Sequence, residues 1–404
     1  MKKFNKNILV FVFCMLFVGA GLCSGDLFSG TKDALDNLMN GKSSKFTRIA
    51  KFEKKIDRIS TENLLYHNEM MDVNSVKENL LGTRVIFKDD ATVVKMDSGS
   101  LSSQSKKIDT KEIKKTVEAI NRLKSVSEKN GAKFLYCATP TKTQYEKSPE
   151  NIDNFAEDNY QSFLKQMNAA QIPYIDFKQE LDNSNIESDS IYYFTDHHWK
   201  VNSGFFATGA LCKELNSRYG FSYDEKYTDL SNYNIQSYSN LFLGSFGKKV
   251  GTYFTWHGAD DFELITPNFE TNMTEEQPFK NEKRNGKFED TVLFMDNMEK
   301  DYYGINTYAT YSGGDFRLQI MKNNLNPNGK KILLIRDSFA CVVAPFLALQ
   351  TSELHICDMR NYESYVGDKL NAEEYIKQIK PDYVIVLYSG VSSIEKSDGK
   401  YDFF

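Results

Sequence analysis

Residues Ile332-Leu333-Leu334-Ile335 form an unbroken apolar run between Lys330-Lys331 and Arg336-Asp337-Ser338. A strand with one wet face alternates apolar and polar residues, whereas a short continuous run is the pattern of a strand covered on both faces. Further strand-like segments occur at Ala132 to Ala138, closed by Pro140, at Leu354 to Cys357, and at Tyr383 to Leu387 after Pro381. Between them lie segments with helical periodicity. Ile113, Val117, Ile120 and Val126 follow Asp109 and Glu112, which resemble a capping box, and Asn130-Gly131 closes that helix. Further helices are predicted over 153–170, 202–219 (with Gly220 as its stop), 339–349 and 371–379, and a short strand over Tyr174 to Phe177. Alternation of helix and strand predicts an α/β fold with a parallel sheet flanked by helices.

The flanking parts read differently. Lys2, Lys3 and Lys6 precede an apolar run from Ile8 to about Cys23, so residues 1–25 are expected to be a signal peptide or a membrane anchor. The bulky Leu22 just before Cys23 argues against lipidation there. Residues 26–80 read as a helical lead-in, and 81–404 as the α/β domain. Within it, Arg84 to Phe87 and Thr92 to Met96 predict a hairpin, and Ser98 to Ser105 a loop. Residues 221–329, rich in Tyr, Phe, Asn, Asp and Gly, predict a β-rich insertion with strand-like pieces at Tyr253 to Trp256 and Phe262 to Ile265.

With 404 residues, the chain is long enough for a substantial core, and its formal net charge of −5 gives no reason to expect a nucleic-acid partner, which would want a basic face. Cys137, Cys212, Cys341 and Cys357 lie in apolar runs without metal-ligand spacing and are expected to be small core residues. There is no Gly-rich phosphate loop and no internal repeat.

The chemistry concentrates in two stretches. Ser338 follows a predicted central strand directly, at the sheet edge where open α/β folds bind ligands and at the start of a predicted helix. The alternative for such a serine is a simple helix N-cap. Far upstream stands Phe194-Thr195-Asp196-His197-His198-Trp199, which holds two of the five histidines. Side chains at i and i+2 of an extended segment project to one side, so Asp196 and His198 are expected to meet and His197 to point away. An Asp-His pair with a remote Ser is the minimum set for an activated hydroxyl nucleophile. A metal site is the competing reading; adjacent residues do not converge easily on one ion, and His67, His257 and His355 show no ligand spacing.

Tyr192-Tyr193-Phe194-Thr195-Asp196-His197-His198-Trp199 resembles the motif of the DHHW protein family, itself similar to the SGNH-hydrolase-like proteins of bacterial alginate and cell-wall O-acetylation. Ile335-Arg336-Asp337-Ser338-Phe339 resembles their Gly-Asp-Ser block, and Thr139 to Tyr145 their Pro-x-Lys-x-x-Tyr segment. Asp-x-His precedes Ser here, as in the acetyltransferase-like branch and opposite to ordinary SGNH esterases, a circularly permuted motif order. The resemblance implies an SGNH-hydrolase-like fold with Ser338 as nucleophile, His198 as base and acid, and Asp196 as its orienter. Two positions depart from the pattern: Arg336 stands where Gly is usual, and Tyr388-Ser389-Gly390 where SGNH esterases carry an oxyanion-hole Asn. Arg336, Arg360, Ser389, Gly390, Lys142 and Tyr145 are therefore candidates for oxyanion or substrate binding.

The resulting expectation is an extracytoplasmic O-acetyltransferase acting on an exopolysaccharide or cell-wall glycan through an acetyl-serine. The acetyl group would come from a membrane-bound acyltransferase, and no free cofactor is implied. The alternatives are a carbohydrate acetylesterase and a non-catalytic glycan-binding or scaffold component of a polymer-modification complex.

Overall fold

The computed structural model describes residues 67–88, 91–390 and 398–404. The expected export segment and most of the helical lead-in lie outside the described residues. Contacts divide the chain into two units, residues 1–78 and 79–404. Helix α1 (His67–Leu80) is the first element described. No helix among the described residues is long and apolar enough to cross a membrane.

The hairpin appears where the sequence places it. Strands β1 (Val85–Lys88) and β2 (Ala91–Lys95) pair antiparallel, with Ile86 opposite Val93. A third strand, β3 (Leu101–Ser103), pairs with β2 inside the stretch expected to be a loop. The local Ser and Gly content hid the fact that Leu101 is buried and that its N–H donates to the Phe194 carbonyl.

Next come α2 (Thr110–Lys129), β4 (Lys133–Ala138), α3 (Ala156–Ala169), β5 (Tyr174–Asp176), α4 (Phe177–Asp182) and α5 (Val201–Tyr219). Asp109 caps α2 by accepting from the Lys111 N–H, while Glu112 pairs with Lys115 instead of closing a box. Gly220 ends α5 at φ +70°, in the left-handed region that glycine enters without a Cβ penalty.

The region expected to be a β-rich insertion supplies strands to two sheets. Its first strands, β6 (Tyr233–Phe242) and β7 (Asp260–Pro267), form a two-stranded sheet with α6 (Ser245–Val250) between them. Tyr253 to Trp256 is a succession of turns rather than a strand. Strands β8 (Met273–Gln277), β9 (Glu282–Gly286) and β10 (Leu318–Asn323), with α7 (Phe288–Val292) among them, extend the main sheet.

The remaining elements are β11 (Lys331–Arg336), α8 (Ala344–Ala348), β12 (Glu353–Cys357), α9 (Ala372–Ile379) and β13 (Tyr383–Tyr388). The helix expected over 339–349 is split into a 3-10 turn, Ser338–Val342, and α8, with Pro345 in the first turn of α8 where its missing N–H is harmless.

The main sheet has the order β5-β4-β13-β11-β12-β10-β8-β9. β5, β4, β13, β11 and β12 run parallel; β10, β8 and β9 each run antiparallel to the preceding neighbour. Alternate residues of β11 face opposite cores. Ile332 and Leu334 pack with Phe205 and Leu211 of α5 and with Phe346 of α8, whereas Leu333 and Ile335 pack with Ile120, Phe163 and Ile376 of α2, α3 and α9. That double cover is what the unbroken apolar run demands. Cys137, Cys212, Cys341 and Cys357 are free and buried, as core residues should be.

Candidate active site

β11 delivers the chain to the centre of the carboxyl edge of the sheet, where Asp337 and Ser338 turn into the 3-10 turn. The cap of that turn is Asp337: its Oδ1 accepts from the Phe339 N–H at 3.1 Å. Ser338 is therefore relieved of the capping role and stands partly exposed as the first residue of the turn. Asp337 Oδ2 accepts from both the N–H and the hydroxyl of Ser389 at 2.7 Å, tying the turn to the end of β13. Lys400 adds an ammonium at 3.6 Å. Burial pushes the Asp337 carboxyl up, but Lys400, Arg360 and the Ser389 hydrogen bonds outweigh it and hold it low. Behind the turn, Gly204 of α5 allows close approach: a Cβ there would lie 2.4 Å from the Val342 side chain.

The Asp196-His198 segment belongs to a tight loop between Tyr192 and Trp199, which are joined by an antiparallel bridge. Tyr193 N–H donates to the His198 carbonyl, and Lys200 N–H to that of Ile191. Trp199 is fully buried and donates its indole N–H to the Phe339 carbonyl at 2.9 Å, docking this loop on the turn that carries Ser338.

The result is a continuous line. His198 Nδ1 lies 2.5 Å from Asp196 Oδ1, and His198 Nε2 lies 2.7 Å from Ser338 Oγ. An ionised carboxylate only accepts, so Nδ1 carries the proton and donates to Asp196. In the neutral imidazole Nε2 then accepts from the Ser338 hydroxyl. Asp196 Oδ1 also takes the His198 backbone N–H at 2.8 Å, and Oδ2 takes the Ser245 N–H at 2.5 Å. Burial alone would push the Asp196 carboxyl up; the adjoining His197 and His198 and these hydrogen bonds hold it well below the usual carboxylate range.

His197 does not point away as alternation suggested. Its ring packs on His198 at 3.8 Å between centroids, and its Nδ1 lies 2.8 Å from Ser245 Oγ and 3.4 Å from Asp196 Oδ1. The loop is too tightly turned for strand alternation to hold. Asp196, His197 and His198 thus offer ligand atoms within 4.8 Å of one another, a convergence that adjacency alone was expected to prevent. The Asp196 oxygens are, however, already occupied by three N–H donors.

Several expected site residues are engaged elsewhere. Lys142, in the 3-10 turn Lys142–Gln144 after β4, is buried and donates to the carbonyls of Leu101, Tyr193, Phe194 and Asp196 at 2.6 to 3.2 Å. Burial brings its pKa down to about 8. It anchors the Asp-His loop from behind and does not line a cleft. Tyr145 packs on Tyr192 with centroids 5.7 Å apart. Arg336 is fully buried; it pairs with Asp315 and donates to the Gly314 carbonyl at 2.7 Å, so it neither meets a substrate nor forms a surface pair. Arg360 joins the same network through Asp358 and Asp315. The Ser389 N–H and hydroxyl are spent on Asp337. Gly390 leaves no room for a side chain, since a Cβ would lie 2.2 Å from Thr141 Cγ2.

Apart from Phe339, which belongs to the Ser338 motif, other residues at the site carried no sequence signal. Tyr308 stacks on the His198 ring at 4.0 Å and 16°, and Phe339 flanks it at 5.3 Å. Asp260, at the start of β7, accepts from the N–H groups of Phe194 and Thr195 and from the Thr195 hydroxyl. Gly244 and Ser245 hold Thr195 and Asp196 in turn. An acidic or small residue in a Tyr-rich loop shows its partner only once the chain is folded.

Residues 99–232 match the family model described as ALGX, an SGNH hydrolase-like domain of the acetyltransferase AlgX. That span contains Asp196 and His198 and ends before Ser338. Among solved structures, a DHHW family protein from Eubacterium siraeum is similar with a TM-score of 0.59 and 18% identity, over 79% of this chain and 96% of that one. PatB1 of Bacillus cereus, solved with a sulfonyl adduct, is similar with a TM-score of 0.63 and 20% identity, over 79% of this chain and 99% of that one. No curated protein matches the chain. The motif resemblance is thus met again in the fold: a mixed α/β chain of SGNH-hydrolase-like architecture.

Proposed function

We propose that this chain, with its match to an SGNH hydrolase-like acetyltransferase domain, is an O-acetyltransferase that works outside the cytoplasmic membrane on an exopolysaccharide or cell-wall glycan. One observation carries the reading: Ser338, His198 and Asp196 are hydrogen-bonded in series at 2.7 and 2.5 Å, with the serine partly exposed and the carboxylate buried.

Each residue then has one task. Ser338 gives its proton to His198 Nε2 while Oγ bonds to the donor's acetyl carbonyl carbon. The bond from that carbon to the donor breaks, and His198 returns the proton to the leaving group. A glycan hydroxyl next gives its proton to Nε2 and attacks the acetyl-serine; Ser338 Oγ leaves and regains the proton. Asp196 fixes the tautomer and stabilises the imidazolium. The Ser338 N–H opens the turn, has no acceptor within it, and serves the oxyanion. Tyr308 and Phe339 pack against the imidazole and hold its ring in place for both proton transfers. A membrane-bound acyltransferase is the proposed source of the acetyl group.

The test is turnover of a chromogenic acetyl ester with and without an oligosaccharide acceptor. Ser338→Ala and His198→Ala are expected to lower kcat by about 10⁴-fold or more. Acetylated sugar supports transfer, acetate alone makes the chain an esterase, and equal rates in all three proteins rule out the triad.

A further inference from the structure

The stripe that α1 leaves in solvent is apolar. Met70, Val73 and Leu80 are 53, 72 and 73% exposed, and Lys77 between them is exposed as well. The other side of the same helix is the covered one. Met71 is half-buried and Ser75 is fully buried. Asn79 accepts from Lys95 Nζ at 2.9 Å and donates to the Tyr253 carbonyl at 3.0 Å. Apolar side chains held in water gain free energy when a partner covers them, and the spacing of these four residues, three then four then three, says what kind of partner fits.

In the sequence the stripe does not begin at Met70. Counting back in the same alternation of four and three reaches Tyr66, Asn63, Ile59, Ile56, Phe52 and Ile49. Residues 49–80 therefore hold ten seam positions in one heptad register, eight of them apolar. Ile49, Ile56, Asn63, Met70 and Lys77 fall at a; Phe52, Ile59, Tyr66, Val73 and Leu80 fall at d. Leu64 and Leu65, on the outer side, are the departures. The apolar face of a straight helix drifts by about 20° per heptad against such a repeat, so more than four heptads in register are the pattern of a supercoiled seam. Asn63 at a finds its complement in the same residue of a second copy, and one polar residue at a fixes the register of a two-stranded pair. In a parallel pair each g residue meets the e residue five positions on in the other strand: Arg48 meets the partner's Glu53, Glu62 the partner's His67 and Val76 the partner's Leu81, with no like charges opposed. Lys77, near the end of the seam, reaches Glu78 at 2.9 Å, so its charge is met there.

We propose that residues 49–80 pair with the same residues of a second copy of this chain as a parallel, two-stranded coiled coil, so that the protein is a dimer in which each copy keeps its own Ser338, His198 and Asp196. The exposed Met70, Val73 and Leu80 are the described end of that seam. Parallel strands also send the two expected export segments the same way, as two chains on one membrane require. The proposal stands apart from the transferase reading, since no seam residue belongs to the triad.

The test uses the full chain in detergent solution, with Cys14→Ser and Cys23→Ser so that cross-links come from introduced thiols; the other four cysteines are buried. Sedimentation is expected to give twice the chain mass. Two thiols join only where their Cα atoms come within about 7 Å, which in a parallel pair holds for each seam residue and its own counterpart. Under mild oxidation Ile56→Cys and Val73→Cys are each expected to form a covalent dimer, and Asn68→Cys, on the outer side, no more than the parent. Ile56→Asp combined with Val73→Asp sets charges across the seam and is expected to weaken association by at least about 100-fold, with the near-ultraviolet circular dichroism of the α/β domain unchanged. A single-chain or three-chain mass for the parent would overturn the proposal. So would cross-linking that appears only when Ile56→Cys and Val73→Cys are mixed, the antiparallel result, or association unaltered in the double Asp variant.

Discussion

Gly244 lies against Asp196 so closely that a Cβ at position 244 would stand 2.3 Å from the Asp196 Cβ. The backbone there has φ −71° and ψ 174°, which any residue adopts, so the requirement for glycine is one of space alone. The same residue donates its N–H to Thr195 Oγ1, and its neighbour Ser245 donates to Asp196. A methyl group at 244 must push the Asp196 carboxylate out of line with His198. Gly244→Ala is expected to lower kcat for an acetyl ester by about 10²-fold, with a near-native circular dichroism spectrum. Unchanged kcat would show that the position of Asp196 is not critical.

Lys142 gives a stability prediction. Four carbonyls share one buried ammonium, three of them from the loop that carries Asp196 and His198. Lys142→Met fills similar volume but leaves those oxygens without their donor, and is expected to cost about 3 kcal/mol or more in urea denaturation. A midpoint equal to the parent's would mean the carbonyls find other partners.

Arg336 makes a second. Its nitrogens serve Asp315 and the Gly314 carbonyl at once. Removing one partner of a buried ion pair strands the other's charge, so Arg336→Met is expected to destabilise by about 3 kcal/mol. Arg336→Lys should restore little, since a single ammonium does not reproduce the fork. Full recovery with Lys would contradict the geometry.

The depressed pKa of Asp196 fixes the sign of a pH effect. Its folded value lies well below the usual carboxylate range, because His197, His198 and the hydrogen bonds overcome burial. As pH falls through the ordinary carboxylate range, the unfolded chain takes up the proton first. The stability Asp196 contributes is therefore full above its unfolded pKa and is lost as pH falls towards its folded pKa. Asp196→Asn is expected to show a shallower loss of urea midpoint than the parent between about pH 5 and pH 3. Parallel curves would contradict the assignment.

Local periodicity carried much of the fold into the sequence. The apolar runs ending at Ala138, Ile335, Cys357 and Leu387 are covered on both faces in the folded chain and become parallel neighbours. The meeting of Asp196 and His198 followed from their spacing, but the inward turn of His197 did not, since it depends on the loop closing from Tyr192 to Trp199. The antiparallel strands β8 to β10 were missed as parts of the main sheet because their partners lie far away in sequence. Arg336 and Lys142 are only candidates for oxyanion or substrate binding in the sequence; a charged residue next to a motif looks functional until its burial and its partners are known. Tyr308 and Asp260 had no local pattern at all, and their roles come from tertiary packing alone.

The most direct test of the central claim is intact-protein mass spectrometry after brief reaction with an acetyl ester, followed by peptide mapping. The account predicts the mass of one acetyl group on Ser338, absent from both Ser338→Ala and His198→Ala and discharged when an acceptor sugar is added. Turnover at the parental rate in Ser338→Ala, or an acetyl group mapped to another residue that sugar discharges equally well, would contradict it.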